Sequence, residues 1–415
     1  MAGAGPGGLT ARRPWDGRRI LLGVTGGIAA YKVVQVARDL TQLGAEVDVV
    51  MTRSARAFVG EVSFEGVTGR PVRTEILAPG SALDHIRLAR AADVVCVAPA
   101  TADFMARAAR GHSGDLLGAI LLATRAPVLI CPAMNDAMWS HSATLANAER
   151  LAELGYGLVG PAEGPLAYGE GSGPGRMESP EAIIQHVGRS LEPEGRFRAR
   201  KVVITAGPTR EAVDPVRFLS NRSSGRMGFA LAASAWRRGA EVTLIAGPTL
   251  LDPPVGPRTV SVETAAEMRD AVEEAVVGAD VLIMAAAIAD FRPKDAPDRK
   301  IKKETALEAI PLEPAPDVLT ETASARPSGC VVVGFALETD DAEANARKKL
   351  ASKGLDLIVL NETGPETGFE VDTNRVTLIE REGELEAVPL LEKEQVADRI
   401  LDRVERRLPR LDDAG

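Results

Sequence analysis

Several short segments of this sequence carry residue types that bind phosphate, hold a carboxylate or move a proton. GVTGGIAAYK (23–32) closes an apolar run and opens a helical pattern. Glycines there let backbone amides approach an anion at a helix N-terminus, although a tight turn without ligand fits equally well. TRSA (52–55) ends the next apolar run with two hydroxyls, on Thr52 and Ser54, that could hold the same phosphate. APAT (98–101) and PAMNDAMW (132–139) end two more runs, and the second presents Asn135, whose amide can bind a carboxylate. DHIRLARAAD (84–93) puts His85 at the start of a helix, where a lone histidine is more often a cap or surface residue than a base. Cys96 and Cys131 lie within apolar runs and read as core packing, as do Met134 and Met138 at helical spacing.

The second half has its own set. ITAGPTREAVDPVRFLSNRSSGRMG (204–228) joins a glycine turn to a polar loop and then a helix start, with Ser220, Asn221, Ser223 and Ser224 as anion-contact types. AAAIADFRP (285–293) follows an apolar run. In KIKK (300–303), Lys300, Lys302 and Lys303 have the spacing of a solvated strand face, the usual reading of a charge run. ARKKLASK (346–353) sets Lys349 and Lys353 four apart on one helix face. Two cation groups in a chain of net charge −9 suit a triphosphate.

Positioning these residues requires strands that end where they begin. RRILLGV (18–24), EVDVVMT (46–52), DVVCVAPAT (93–101) and APVLICPAM (126–134) are such strands, separated by helical patterns, and predict a parallel α/β sheet. The plan restarts with KVVITAGPT (201–209), EVTLIAGPT (241–249), ADVLIMAAAIAD (279–290), CVVVGFALET (330–339) and LDLIVLNE (355–362). RVTLIEREGELEAVPL (375–390) reads as an antiparallel hairpin around Glu382 and Gly383, followed by a helix. The expected fold is therefore α/β, two doubly wound Rossmann-like or flavodoxin-like parallel-sheet domains in tandem. Ligands then belong at the carboxyl ends of the strands. Neither half carries a GxGxxG fingerprint at a strand-to-helix turn, which counts against a nicotinamide dehydrogenase.

A length of 415 residues asks for two or three domains. The boundaries expected are a disordered leader at 1–17, a domain at 18–190, a charged linker at 191–200, a domain at 201–405 and a tail at 406–415. The acidic balance argues against nucleic acid, no apolar run is long enough to span a membrane, and three scattered cysteines fit neither a disulfide framework nor a zinc spacing. Cytoplasm is the default compartment.

GGIAAYK, the histidine of HIRLARAAD, APAT and PAMNDAMW occur together and in order, and residues 18–190 resemble the flavin-dependent cysteine decarboxylases. The resemblance implies FMN held by Gly26, Gly27, Ile28, Ala29, Thr52, Ser54, Pro99, Ala100 and Thr101. It implies His85 as catalytic base and Asn135, with Met138 nearby, on the substrate carboxylate. The chemistry expected is oxidation of the thiol carbon to a thioaldehyde, loss of CO₂, and reduction of the enethiolate.

AGPTREAVDPVRFLSNRSSGRMG, AAAIADFRP, KIKK, PDVL (316–319) and VGFALET (333–339) resemble the phosphopantothenate–cysteine ligases over about residues 195–405. That implies Asn221 on an acyl-nucleotide intermediate, and Lys300 as a catalytic and nucleotide-binding cation. Asp290, Pro316, Asp317, Val318, Leu319, Phe335, Lys349 and Lys353 would bind nucleotide, and Ala285, Ala286 and Ala287 would line the base pocket. The domain order is that of fused bacterial enzymes. The resemblance thus implies coenzyme A biosynthesis, with 4′-phosphopantothenate, L-cysteine and CTP as substrates and Mg²⁺ as a further cofactor. CTP against ATP is not settled by these residues, and neither is oligomer size: a trimer-based decarboxylase and a dimeric ligase could build a dodecamer.

One segment departs from the pattern. LAYGEGSGPGRM (166–177) has Tyr168 where the decarboxylases carry the cysteine that protonates the enethiolate. Tyr168 could donate the proton itself, the reduction could be impaired, or Tyr168 could pack over the flavin while water donates. Two other readings of the first half, a flavin-binding regulatory protein and a decarboxylase of peptide C-terminal cysteines, are disfavoured by the intact ligase half.

Overall fold

Both halves are built by one device, an apolar β-branched run that ends in a turn and feeds an amphipathic helix. The structure is a computed structural model and describes residues 14–77, 83–169, 171–192, 195–302, 309–337, 341–361, 371–381, 383 and 385–409. Two units divide between residues 192 and 193.

In the first unit, β1 (Arg19–Val24), β2 (Glu46–Met51), β3 (Val94–Ala100), β4 (Val128–Pro132) and β5 (Gly157–Leu158) form one parallel sheet in the order 2-1-3-4-5. β3 is buried at every position, as a central strand covered on both faces must be. The helix Ala30–Gln42 buries Ala30, Val33, Val36, Ala37 and Leu40 at helical spacing against it. Strand order reverses between β1 and β3, so the turns after those two strands border the crevice where such sheets bind ligands. A hairpin of β6 (Ala162–Pro165) and β7 (Ser172–Arg176) stands outside the sheet.

The second unit continues with β8 (Lys201–Ala206), the hairpin strands β9 (Arg210–Ala212) and β10 (Phe218–Ser220), then β11 (Glu241–Ala246), β12 (Arg258–Ser261) and β13 (Val281–Met284). The small pair β14 (Phe291–Pro293) and β15 (Leu312–Pro314) follows, then β16 (Val331–Leu337), β17 (Leu357–Asn361), β18 (Thr373–Glu380) and β19 (Glu386–Glu392). Eight of these make a sheet ordered 12-11-8-13-16-17-18-19, parallel except for the last two strands. The expected α/β architecture is present in both units. The terminal hairpin also forms as expected, with Glu382 itself outside the described residues.

Three expectations need correction. The sequence between the units is not simply a linker: Phe197 is fully buried in the second core, and the Arg196 amide donates to Glu405 at 3.0 Å. Burying one phenylalanine is worth about 1.5–3 kcal/mol, enough to fix this segment. The leader ends early, because Trp15 is buried and its Nε1 donates to the Ile184 carbonyl at 3.2 Å. Leu408 is likewise buried, so the second unit runs past residue 405. In addition, β13 stops at Met284, and Lys300 and Lys302 lie in no strand, while Lys303 falls outside the described residues.

The helices Arg226–Arg237 and Lys393–Arg407 pack on the second sheet around Arg238, which is 1% exposed and donates to Asp398 at 3.0 Å and Asp402 at 2.8 Å. Such a buried network orients two helices; removing one partner strands a buried charge.

Candidate functional site

The turn after β1 is shaped by contact with Ser54. A Cβ on Gly26 would lie 2.4 Å from Ser54 Cβ and 2.9 Å from its backbone carbon, so only glycine fits. Gly27 faces Thr101 and Pro99 with room to spare, a Cβ there meeting them at 3.8 and 3.9 Å. The Thr25 hydroxyl donates to the Pro99 carbonyl at 2.7 Å and accepts from the Thr101 amide at 3.2 Å, which ties the ends of β1 and β3 together. Thr52 and Ser54 hydroxyls lie 3.2 Å apart. Among the described residues nothing accepts from the amides of Gly26, Gly27, Ile28 or Ala29. Free amides at the start of a 13-residue helix, flanked by hydroxyls, fit a phosphate group. Lys32 on that helix has its ammonium pKa lowered, chiefly by burial and then by Arg176 of β7, which adds two cations to the neighbourhood.

His85 is the second residue of the helix Asp84–Ala91. Its Nδ1 is buried and has no hydrogen-bond partner among the described residues. A buried imidazole nitrogen left unpaired costs free energy unless a ligand group completes it. The helix start is held by Asp84, whose carboxylate takes Arg87 at 3.0 Å and Arg73 at 3.7 Å; Arg73 is bridged to Val50 beside β2. Neither arginine was singled out from sequence, since nothing local links residue 73 to residue 84.

Asn135 caps the short helix Asp136–Trp139, its Oδ1 accepting from the Ala137 amide at 2.9 Å. That fixes the side chain and leaves its NH₂ end to donate to a carboxylate. Met138 is exposed on the same turn. β7 docks here: the Met134 amide donates to the Gly175 carbonyl at 2.9 Å, and a Cβ on Gly175 would strike Met134 O at 2.4 Å. Tyr168 sits at the far end of the hairpin, fully exposed, and is not brought to the other residues of this set.

In the second unit most of the expected residues are already engaged. Asn221 donates its amide to the Ile288 carbonyl at 2.8 Å. The Ala286 amide goes to the Thr205 hydroxyl at 3.1 Å and the Ala287 amide to Gly207 O at 2.9 Å, so neither is free for a base edge. Lys349 donates to Phe335 O at 3.1 Å. Lys353 pairs with Asp317 and donates to the Thr320 hydroxyl at 2.9 Å. Val318 and Leu319 are buried in the core, leaving only their backbone to a ligand, whereas Pro316 is half-buried and Asp290 exposed. Lys300 is exposed beside Ile301, whose amide donates to Asp214 at 3.1 Å. Arg217 holds that buried Asp214 carboxyl far below the usual range, helped by the Val216, Ile301 and Arg217 amides.

A cleft not visible as a unit in the sequence joins five distant segments. Ser224, Arg226, Phe335, Asn361, Asn374 and Lys393 line it, at the ends of β16 and β17 and the start of the helix Arg226–Arg237. Lys393 has its pKa lowered to about 8, by burial first and then by Arg226. Among the described residues there is no cluster of three or more metal-ligating side chains.

A flavodoxin-like sheet with an anion-ready turn, followed by a second Rossmann-like sheet, defines the class of a two-unit α/β flavoprotein. Residues 9–192 match the family described as Flavoprotein, and residues 197–408 the DNA/pantothenate metabolism flavoprotein C-terminal domain. The coenzyme A biosynthesis bifunctional protein CoaBC of Vibrio cholerae is 43% identical over 390 residues, spanning 93% of this chain and 97% of that protein. Its counterpart of the same name in Mycobacterium bovis is 44% identical over 403 residues, spanning 93% and 96%. A crystal structure of the C-terminal domain of a CoaBC protein is 40% identical, covering 52% of this chain and 98% of that one with a TM-score of 0.45. The chain belongs to the CoaBC family of bifunctional coenzyme A biosynthesis proteins.

Proposed function

We infer that this chain is a bifunctional enzyme of coenzyme A biosynthesis: the second unit ligates 4′-phosphopantothenate with L-cysteine using CTP, and the first decarboxylates 4′-phosphopantothenoylcysteine to 4′-phosphopantetheine. The observation that carries it is identity above 40% running through both units over 93% of the chain.

In the ligase unit, a carboxylate oxygen attacks the α-phosphate of CTP and pyrophosphate leaves. The cysteine amine then attacks the acyl carbon, a C–N bond forms, the acyl C–O bond breaks, and CMP departs. Lys300, on a loop pinned by Asp214, is suited to charge developing on phosphate. Lys349, which donates to the Phe335 carbonyl, and Lys353 would bind the nucleotide, with Arg226 and Lys393 of the cleft beside Phe335 as further cations for the phosphates. Asn221 tethers the loop that would hold the acyl-nucleotide. Mg²⁺ enters on the nucleotide, its phosphates being the main ligands.

In the decarboxylase unit, the amides of residues 26–29 with Thr52, Ser54 and Thr101 bind the FMN phosphate, and the turn at Pro99 and Ala100 lies beside them. When bound, FMN supplies two-electron redox chemistry, and so the electron sink that a saturated cysteine amide lacks. His85 accepts the proton as the thiol carbon is oxidised, and Asn135 orients the carboxylate that leaves as CO₂. Tyr168 donates the last proton, which requires its hairpin tip to reach a site, in the same or a neighbouring copy. Exposed Ile28, Tyr31 and Tyr168 suit burial between copies, in keeping with a trimer-based assembly joined by ligase dimers. A cytoplasmic location fits an enzyme that consumes CTP.

Pyrophosphate release with each of the four nucleoside triphosphates tests the ligase reading. CTP should support it best, and Lys300→Gln should slow it roughly 10- to 150-fold, the worth of one charge-assisted contact. Equal turnover with ATP would refute the CTP assignment.

A further inference from the structure

A second cleft of the ligase unit, about 510 Å³, opens beside β9, β11 and β12 and is used by none of the chemistry above. Its charged lining is Arg210, Glu263 and Glu267; Phe229 and Leu251 supply apolar wall. Arg210 stacks over the Phe218 ring, 4.6 Å from its centroid, and has no ion-pair partner among the described residues. Thr259 also lines the cleft, and its Oγ1 is buried with no partner among the described residues. Glu267 is fixed by accepting the Glu263 amide at 2.7 Å. The back of the cleft is closed tightly: a Cβ on Gly247 would lie 1.8 Å from Pro208 O, so the loops after β8 and β11 meet backbone to backbone.

One cation against two carboxylates repels a polyanion, so this is not a place for a triphosphate. It matches a zwitterion, whose carboxylate finds a guanidinium and whose ammonium finds carboxylates. The position is apt as well. Arg210 is the register partner of Ser220, and the next residue is Asn221, assigned above to the acyl-nucleotide. We propose that this cleft binds the α-amino acid co-substrate, L-cysteine, with its carboxylate on Arg210 and Thr259, its ammonium on Glu263 and Glu267, and its thiol against the Phe229 wall. The assignment rests on the ligase reading above.

The test separates the two half-reactions. Arg210→Met keeps length and stacking without charge, Arg210→Lys keeps charge, and Glu267→Gln keeps the contact to the Glu263 amide. Each is assayed for the pyrophosphate burst formed from 4′-phosphopantothenate and CTP without cysteine, and for the cysteine KM of amide formation. The expected result is a burst unchanged in size and rate, with the cysteine KM raised at least tenfold in Arg210→Met and Glu267→Gln and less in Arg210→Lys. An unchanged cysteine KM, or a burst lost in step with it, overturns the proposal. Calorimetric titration of L-cysteine into wild type and Arg210→Met needs no turnover: binding weakened in the variant supports the cleft, and equal binding overturns it. A wild-type protein that gives no burst would sink the ligase reading instead, while the titration still judges the cleft.

Discussion

The two candidate sites differ in how much of their hydrogen bonding is left open. In the first unit the amides of residues 26–29 and the buried His85 Nδ1 have no partners among the described residues. In the second, Asn221, Lys349, Lys353 and the Ala286 and Ala287 amides each already have a partner within the protein. A buried open group such as His85 Nδ1 is costly when empty and is completed by a group that stays. A satisfied set must exchange partners each time a ligand arrives, which suits a substrate that is consumed and released. That is the difference expected between the proposed resident flavin and the proposed turned-over nucleotide.

The largest effect should come from the open set. His85→Asn should lower decarboxylation by about 10²- to 10⁴-fold, the usual worth of a positioned base, with flavin absorbance unchanged. A variant that loses flavin yet works after reconstitution would make His85 structural. Gly26→Ala should weaken flavin retention at least tenfold. Its methyl meets the Ser54 backbone as well as the side chain, so no rotamer change relieves it. Equilibrium dialysis against FMN measures this, and ligase activity in the same sample should be untouched.

Tyr168→Phe should slow formation of 4′-phosphopantetheine roughly tenfold, the lower end for proton transfer because solvent reaches an exposed hairpin tip. Anaerobic turnover followed by mass analysis reads it. A native rate in the variant removes the donor role, and a product two mass units lighter from the native protein would mean that reduction itself is lost.

The smallest effect lies in the satisfied set. Burial lowers the Lys393 pKa to about 8, so its ammonium is present below that pH and lost above it. The KM for CTP should therefore rise a few-fold between about pH 7 and pH 9, and Lys393→Gln should flatten that rise. For stability the sign is opposite: a depressed lysine pKa favours folding at high pH, and that contribution falls as pH drops from the unfolded value toward 8.

Legibility followed the same division. The turn at Gly26 was visible because close approach to Ser54 writes glycine into the sequence, and alternating apolar runs announced both sheets. Phe197 was a signal within a charged segment that read as a linker. The pairing of Lys353 with Asp317, the Arg73–Asp84 contact behind His85, and the cleft joining Ser224, Phe335 and Lys393 had no local trace, because each links residues far apart in sequence. Strand ends locate a site, but which cations remain free in it is decided by tertiary contacts. The buried network at Arg238 is of the same kind: its partners come from a helix over 150 residues away.

One incubation tests the central claim most directly. The purified chain is given 4′-phosphopantothenate, L-cysteine, CTP and Mg²⁺, and the products are followed by mass spectrometry in wild type and in His85→Asn. The account predicts 4′-phosphopantetheine from wild type and accumulation of 4′-phosphopantothenoylcysteine from the variant, each with one CMP and one pyrophosphate per amide formed. Failure of the wild type to form the amide, or full decarboxylation by the variant, would contradict two sites with separate chemistry on one chain.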